Sequence, residues 1–333
     1  MSINRKAVFF LWLIIYIGLG SFFASFIAIY WFPTIPSDFS RTKRLLAFVE
    51  NELPVKNTLV FGNSIGMNGF DGKLFTKLSC IENTYNLCSP GQNQLESLLL
   101  ISSVSKSPEY IVHFINSFEL EYRDFLTNNT INYFLLMNYK PSNFVKKTLT
   151  LTTNSNSLNI SNKNKIEISF RNRWLLTNYF NSNFRNLLRN DLRLEKLNTE
   201  LYYPRNYSSR LKNQQLQPLI KQHNPIKPLY NLKIDSIKIE IIKRTASYLK
   251  EKNTQYIVVF TPLNPDLYNF NKDYHASIDS FCVNTKIANA HFINFSNLLS
   301  KDQFVDHLHP SSDGAIKITS ELAKILNKCS SRP

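Results

Sequence analysis

A serine hydroxyl attacks a carbonyl well only when a base lies beside it and a third group orients that base. Three residues of this chain have the types for that division of labour. Ser64 stands in Thr58-Leu59-Val60-Phe61-Gly62-Asn63-Ser64-Ile65-Gly66, and Asp306 and His309 stand in Asp306-His307-Leu308-His309-Pro310. The chemistry they would support is acyl transfer, with Ser64 as nucleophile, His309 as base and Asp306 holding the imidazole. The reaction also needs hydrogen-bond donors for the developing oxyanion. The Ser64 N–H can be one. Gly91 can supply a second, because it follows a strand end and has no Cβ to block approach.

These residues need elements to place them. Residues 58–61 are an apolar, β-branched run that reads as a buried strand stopped by Gly62. A serine just beyond the C-terminal end of a parallel strand lies where open α/β sheets place their ligands. Residues 83–87 read as a second strand ending in Ser89-Pro90-Gly91, with helical spacing over 92–104 and a third strand over 110–115. The rhythm breaks over 118–232 and resumes with a helix from 234 to 252, on which Ile237, Ile241, Ile242, Ala246 and Leu249 share a face. A strand at 256–260, a helix at 274–288 and a short strand at 291–295 follow. Asp306 and His309 come next, then a helix over 312–326 with Ile316, Leu322 and Ile325 as its apolar face. This alternation predicts an α/β fold, a parallel sheet flanked by helices. The interruption at about 118–232 predicts a mostly helical insertion. Within it, residues 154–165 are polar and read as a loop. The aromatic and basic content over 171–197 fits either a packed helical core or a glycan groove.

Gly62-Asn63-Ser64 resembles the first block of the SGNH (GDSL-type) hydrolases, and Asp306-x-x-His309-Pro310 resembles their last block, which carries acid and base together. The resemblance spans about residues 55–116 and 235–328. It is nearest to the membrane-anchored branch that includes the D-alanyl-lipoteichoic acid transfer protein and the alginate O-acetylation proteins. It implies an SGNH-like, flavodoxin-like sheet, a Ser64–His309–Asp306 triad, and Gly91 as the second-block oxyanion donor. A third donor would be Asn116, although Phe114-Ile115-Asn116-Ser117 lacks the glycine and aspartate of the usual Gly-x-Asn-Asp block. Asn63 stands where most relatives carry aspartate. The implied activity is that of an O-acyltransferase or esterase on a cell-envelope polysaccharide or teichoic-acid-like polymer, alongside a multi-pass membrane-bound O-acyltransferase. Gly62-x-Ser64-x-Gly66 also matches the nucleophile elbow of α/β-hydrolases. There the serine follows several strands and the acid and base sit on separate loops, unlike the pattern here.

Residues 7–32 contain no charged side chain and exceed the roughly 20 residues that a bilayer core requires. Arg5 and Lys6 precede the run and Tyr30-Trp31-Phe32 closes it, which favours an uncleaved anchor with a cytoplasmic tail over 1–6. The alternative is a cleaved signal peptide, whose apolar core is normally shorter, about 7–15 residues, and ends in a small-residue site. Residues 33–56 read as a linker with a lead-in helix, and 57–333 as a domain in the periplasm or outside the cell. The +15 formal charge fits an anionic polymer or lipid surface, or a solubility feature. No nucleic-acid module accompanies it. Cys80, Cys88, Cys282 and Cys329 have no paired metal-ligand spacing and are read either as local disulfides (80 with 88, 282 with 329) or as small buried residues. No motif calls for a metal or organic cofactor. His113 is expected in the core and His307 in solvent. A second class of function also fits: a non-catalytic anchored module that binds polysaccharide or organises a synthesis complex.

Overall fold

The computed structural model describes residues 5–30, 38–54, 57–79, 81–121, 134, 139–151, 211–223, 231–266 and 272–330. The expected loop at 154–165 and helices at 171–197 lie outside the described residues. Five strands, β1 (Thr58–Gly62), β2 (Thr84–Asn86), β3 (Tyr110–Ile115), β4 (Gln255–Phe260) and β5 (Ala290–Asn294), form one sheet in the order β2-β1-β3-β4-β5. Every pairing is parallel. The chain steps from β1 outward to β2, then returns past β1 to β3. The strand order therefore reverses at β1, and the region beyond the carboxyl ends of β1 and β3 is where open α/β sheets bind their ligands.

Strand side chains alternate between two apolar layers because successive residues point to opposite faces. Leu59, Phe61, Ile111, Ile115, Val258 and Phe260 face one layer, and Val60, Val112, Phe114, Ile257 and Val259 face the other. The first layer is covered by α2 (Asp38–Ala47), α5 (Gln94–Ser102), α9 (Ser236–Glu251) and α10 (Lys272–Asn284). The second is covered by α3 (Ser64–Gly69), α4 (Gly72–Leu78) and α11 (Ser312–Ser330). Burial on both faces explains why β1 and β3 read as continuous apolar runs rather than as alternating ones.

The lead-in helix expected within 33–56 is α2, continued by a π-helical turn at Phe48–Glu52. Leu45, Leu46, Phe48, Val49 and Leu53 are buried in the first layer, so residues 45–53 belong to the domain rather than to a linker. On α11 the buried stripe is Ala315, Ile318, Leu322, Ala323 and Leu326, while Ile316 is 51% exposed. The apolar face expected through Ile316 is corrected accordingly: it lies about 100° around the helix from Ala315. Within the insertion, α6 (Ser117–Glu121), α7 (Asn143–Leu149) and α8 (Asn213–His223) are described.

The first helix, α1, runs Arg5–Tyr30. Its side chains are described over Val8–Phe23, and the large apolar ones there, from Phe9 and Trp12 to Phe22 and Phe23, are exposed. Among the described residues no helix is long and apolar enough to cross a membrane.

Candidate active site

Ser64 is the first residue of α3, directly past the end of β1. The turn that places it there requires glycine. Gly62 has φ +145°, and a Cβ on it would lie 2.5 Å from the Phe114 carbonyl oxygen of the neighbouring strand. Asn63 caps α3, its Oδ1 accepting the Ile65 N–H at 2.9 Å. The cap is thus made by Asn63, and the Ser64 hydroxyl has a different partner. Asn68 Nδ2 donates to the Ser64 carbonyl at 2.8 Å. Asn86, on β2, donates to the carbonyls of Gly66, Met67 and Phe70 and holds the far end of the helix.

Asp306 and His309 belong to one turn between β5 and α11. Asp306 Oδ1 accepts the backbone N–H groups of Leu308 at 2.8 Å and His309 at 2.7 Å. Asp306 Oδ2 lies 2.7 Å from His309 Nδ1, and His309 Nε2 lies 2.9 Å from Ser64 Oγ. Burial acts to raise the Asp306 carboxyl, but hydrogen bonds from the His309 side chain and from the His309 and Leu308 backbones outweigh it. They hold the group at about 2. An ionised carboxylate can only accept, so Nδ1 carries the imidazole proton and Nε2 is left to accept the Ser64 hydroxyl. The loop itself is fastened from three sides. The Val305 N–H donates to the His309 carbonyl, Asn264 Nδ2 to the Asp306 carbonyl, and the Leu211 N–H to the Val305 carbonyl.

The three residues expected as oxyanion donors follow the ends of adjacent strands. The Ser64 N–H lies in the first turn of α3, where helix geometry provides no internal acceptor. Gly91 is exposed in the turn after β2, with φ +66°. Asn116 is buried directly after β3, and its Oδ1 accepts the Phe118 N–H at 3.1 Å, which turns the NH2 end into the available donor.

The structure revises the expectation for His307, chooses between the two readings of the cysteines it describes, and meets the expectation for His113. His307 is half-buried rather than in solvent. Cys88 and Cys282 are free thiols, so the local disulfide pairing is not formed at either. Cys88 is fully buried, with its Sγ 3.8 Å from the Val60 carbonyl; Cys80 lies outside the described residues. His113 is in the core as expected, its Nδ1 2.8 Å from the Tyr256 hydroxyl.

Two residues of the site escaped the sequence reading. Asn264, buried past β4, braces the loop that carries Asp306 and His309. Its position after a strand end was the available signal. Glu119, in α6, accepts a hydrogen bond from Asn63 Nδ2. Asn116-x-x-Glu119 has the spacing of a helix-capping box, and that pattern could have flagged it.

Searches against protein-family models and against curated proteins found no match for this chain, so the case for the site stands on its geometry.

Proposed function

We propose that the protein is a serine acyl-transfer enzyme of SGNH-like fold, an esterase or O-acyltransferase that acts on a cell-envelope glycan. The observation that carries this reading is the hydrogen-bonded chain Ser64–His309–Asp306 at the carboxyl end of β1. The β2-β1-β3-β4-β5 order, and the origin of acid and base in a single turn before the last helix, support the fold assignment. In the proposed cycle, Ser64 attacks an ester carbonyl while His309 Nε2 takes its proton. The collapsing intermediate then expels the alcohol, which is protonated by His309. Water or a sugar hydroxyl attacks the acyl-serine in the second half, again with His309 as base, and Ser64 is regenerated.

The exposed apolar face of α1 is the basis for proposing a single-pass anchor with its N-terminus in the cytoplasm and the enzyme body outside it. A helix apolar around its whole circumference is stable in lipid or against a partner and not in water.

The test uses the full chain in detergent micelles with p-nitrophenyl acetate and a serine-directed fluorophosphonate. Wild type should label and turn over, Ser64→Ala should do neither, and His309→Ala should do both at a small residual rate. Asp306→Asn should lower turnover by about 10⁴-fold, since the imidazole then loses its fixed tautomer. A folded wild type that neither labels nor turns over would favour the non-catalytic polysaccharide-binding module instead.

A further inference from the structure

Glu119 lies where two of the proposed catalytic segments meet. Its carboxylate accepts a hydrogen bond from the side chain of Asn63, the residue before Ser64. It also takes a backbone hydrogen bond from Asn116, with the Lys238 ammonium close enough to act on it. The Glu119 N–H returns a bond to the Asn116 carbonyl at 2.9 Å. Asn63 is thereby held at both ends: its Oδ1 faces the Ile65 N–H, and its Nδ2 faces a carboxylate. An inverted amide would set donor against donor at Ile65 and acceptor against acceptor at Glu119. The strands involved, β1 and β3, are neighbours, with Gly62 paired to Phe114.

We propose that Glu119 is a positioning residue. One carboxylate fastens the β1–α3 turn that carries Ser64 to the β3–α6 turn that carries Asn116, and so sets the nucleophile at a fixed place relative to an oxyanion donor. The inference rests on the reading of Ser64 as the nucleophile. Lys238 is fully buried on α9 and balances the charge. Exchanging the amide and the carboxylate between the two positions preserves the shape of the tether and reverses its polarity. A carboxylate at position 63 would accept from an amide at position 119 while still capping Ile65. The oxygen of that amide would still accept from Asn116.

The test is that polarity swap in the full chain, comparing Asn63→Asp, Glu119→Gln and the double variant. The readouts are the fluorophosphonate labelling rate per folded molecule, and kcat and KM for p-nitrophenyl acetate. Assayed at about pH 9, above the raised Glu119 value, Asn63→Asp sets two carboxylates against each other, and Glu119→Gln replaces one acceptor oxygen with a donor. Each should slow labelling and kcat by about 10- to 100-fold with KM nearly unchanged, as expected of a misplaced reacting group. The double variant should return to within about five-fold of wild type. Single variants that label at the wild-type rate, or a double variant no faster than the slower single, would overturn the positioning role. If Asn63→Asp does not fold, Glu119→Gln alone decides, by whether kcat falls about ten-fold or more with KM unchanged. A wild type that does not label removes the nucleophile reading and this role with it. Labelling in wild type without the swap pattern removes this role alone.

Discussion

Burial makes the charged form costly at both His113 and Glu119, and the two make stability depend on pH in opposite ways. Burial holds the His113 imidazole down at about 3. Its contribution is fully present above the unfolded value of 6.5 and is lost as pH falls from there towards 3. Burial pushes Glu119 up from 4.5 to about 7, against hydrogen bonds from Asn63 and Asn116 and the charge of Lys238. Its contribution is fully present below 4.5 and is lost as pH rises through 7. Lys238, whose charge Asp235 also supports, and the buried Cys88 thiol are the other titratable groups coupled to this cluster. Denaturant midpoints measured across pH should therefore separate the two. Glu119→Gln should remove the falling component between pH 4.5 and 7, roughly 1–3 kcal/mol, and leave the rise that His113 contributes between 3 and 6.5. His113→Gln, which keeps a partner for the Tyr256 hydroxyl, should flatten the acid side. The triad was legible from residue types because an acid and a base three positions apart can meet in one turn. Glu119 was not, because its partner Asn63 is distant in sequence and the meeting depends on which strands become neighbours.

At the scale of elements, the β1–α3 junction is where a described glycine combines a positive φ with a close backbone approach. Gly62 adopts φ +145° against the Phe114 carbonyl, so Gly62→Ala must both strain the backbone and move β3. The expected outcome is a loss of about 2–4 kcal/mol in chemical denaturation and a collapse of fluorophosphonate labelling in whatever fraction still folds. β1, β3 and β4 were readable because apolar runs buried on both faces leave few other assignments, whereas β2 (Thr84–Asn86) and the half-buried β5 followed from the strand–helix rhythm around them. Helix faces were read less well where apolar residues exceed the space beneath them. Ile316 belongs to the apolar pattern of α11 yet points to solvent, because Ala315 and Ile318 already fill the contact with the sheet layer. The lead-in helix was legible within 33–56, but the charges and prolines around it made the segment read as a linker, and only packing against Tyr85 and its neighbours makes residues 45–53 part of the core. The helix α8 was foreshadowed only as generic helical content. Its Leu216 and Ile220 pack with Phe118, Leu211 and Leu308, which ties the insertion to the turn that carries His309.

For the molecule as a whole, α1 sets the proposed location. Full-length protein mixed with phospholipid vesicles should float with them in a density gradient at both low and high salt, and a chain lacking residues 1–30 should stay at the bottom. Flotation of the truncated chain at low salt alone would assign the attachment to the +15 charge instead, since ionic attraction is screened and burial of apolar surface is not.

Ser64 and His309 are 245 positions apart in the chain, and their contact has a consequence in time. At ordinary rates of synthesis, roughly 5–20 residues per second, the serine is made some 12–50 seconds before the histidine. During that interval β1 waits for β4 and β5 to complete the sheet, and the serine has no base. A long interval without closing contacts is characteristic of parallel sheets and exposes them to misassembly. Here it also means that the proposed triad is completed only as the last helix is made, long after α1 has emerged.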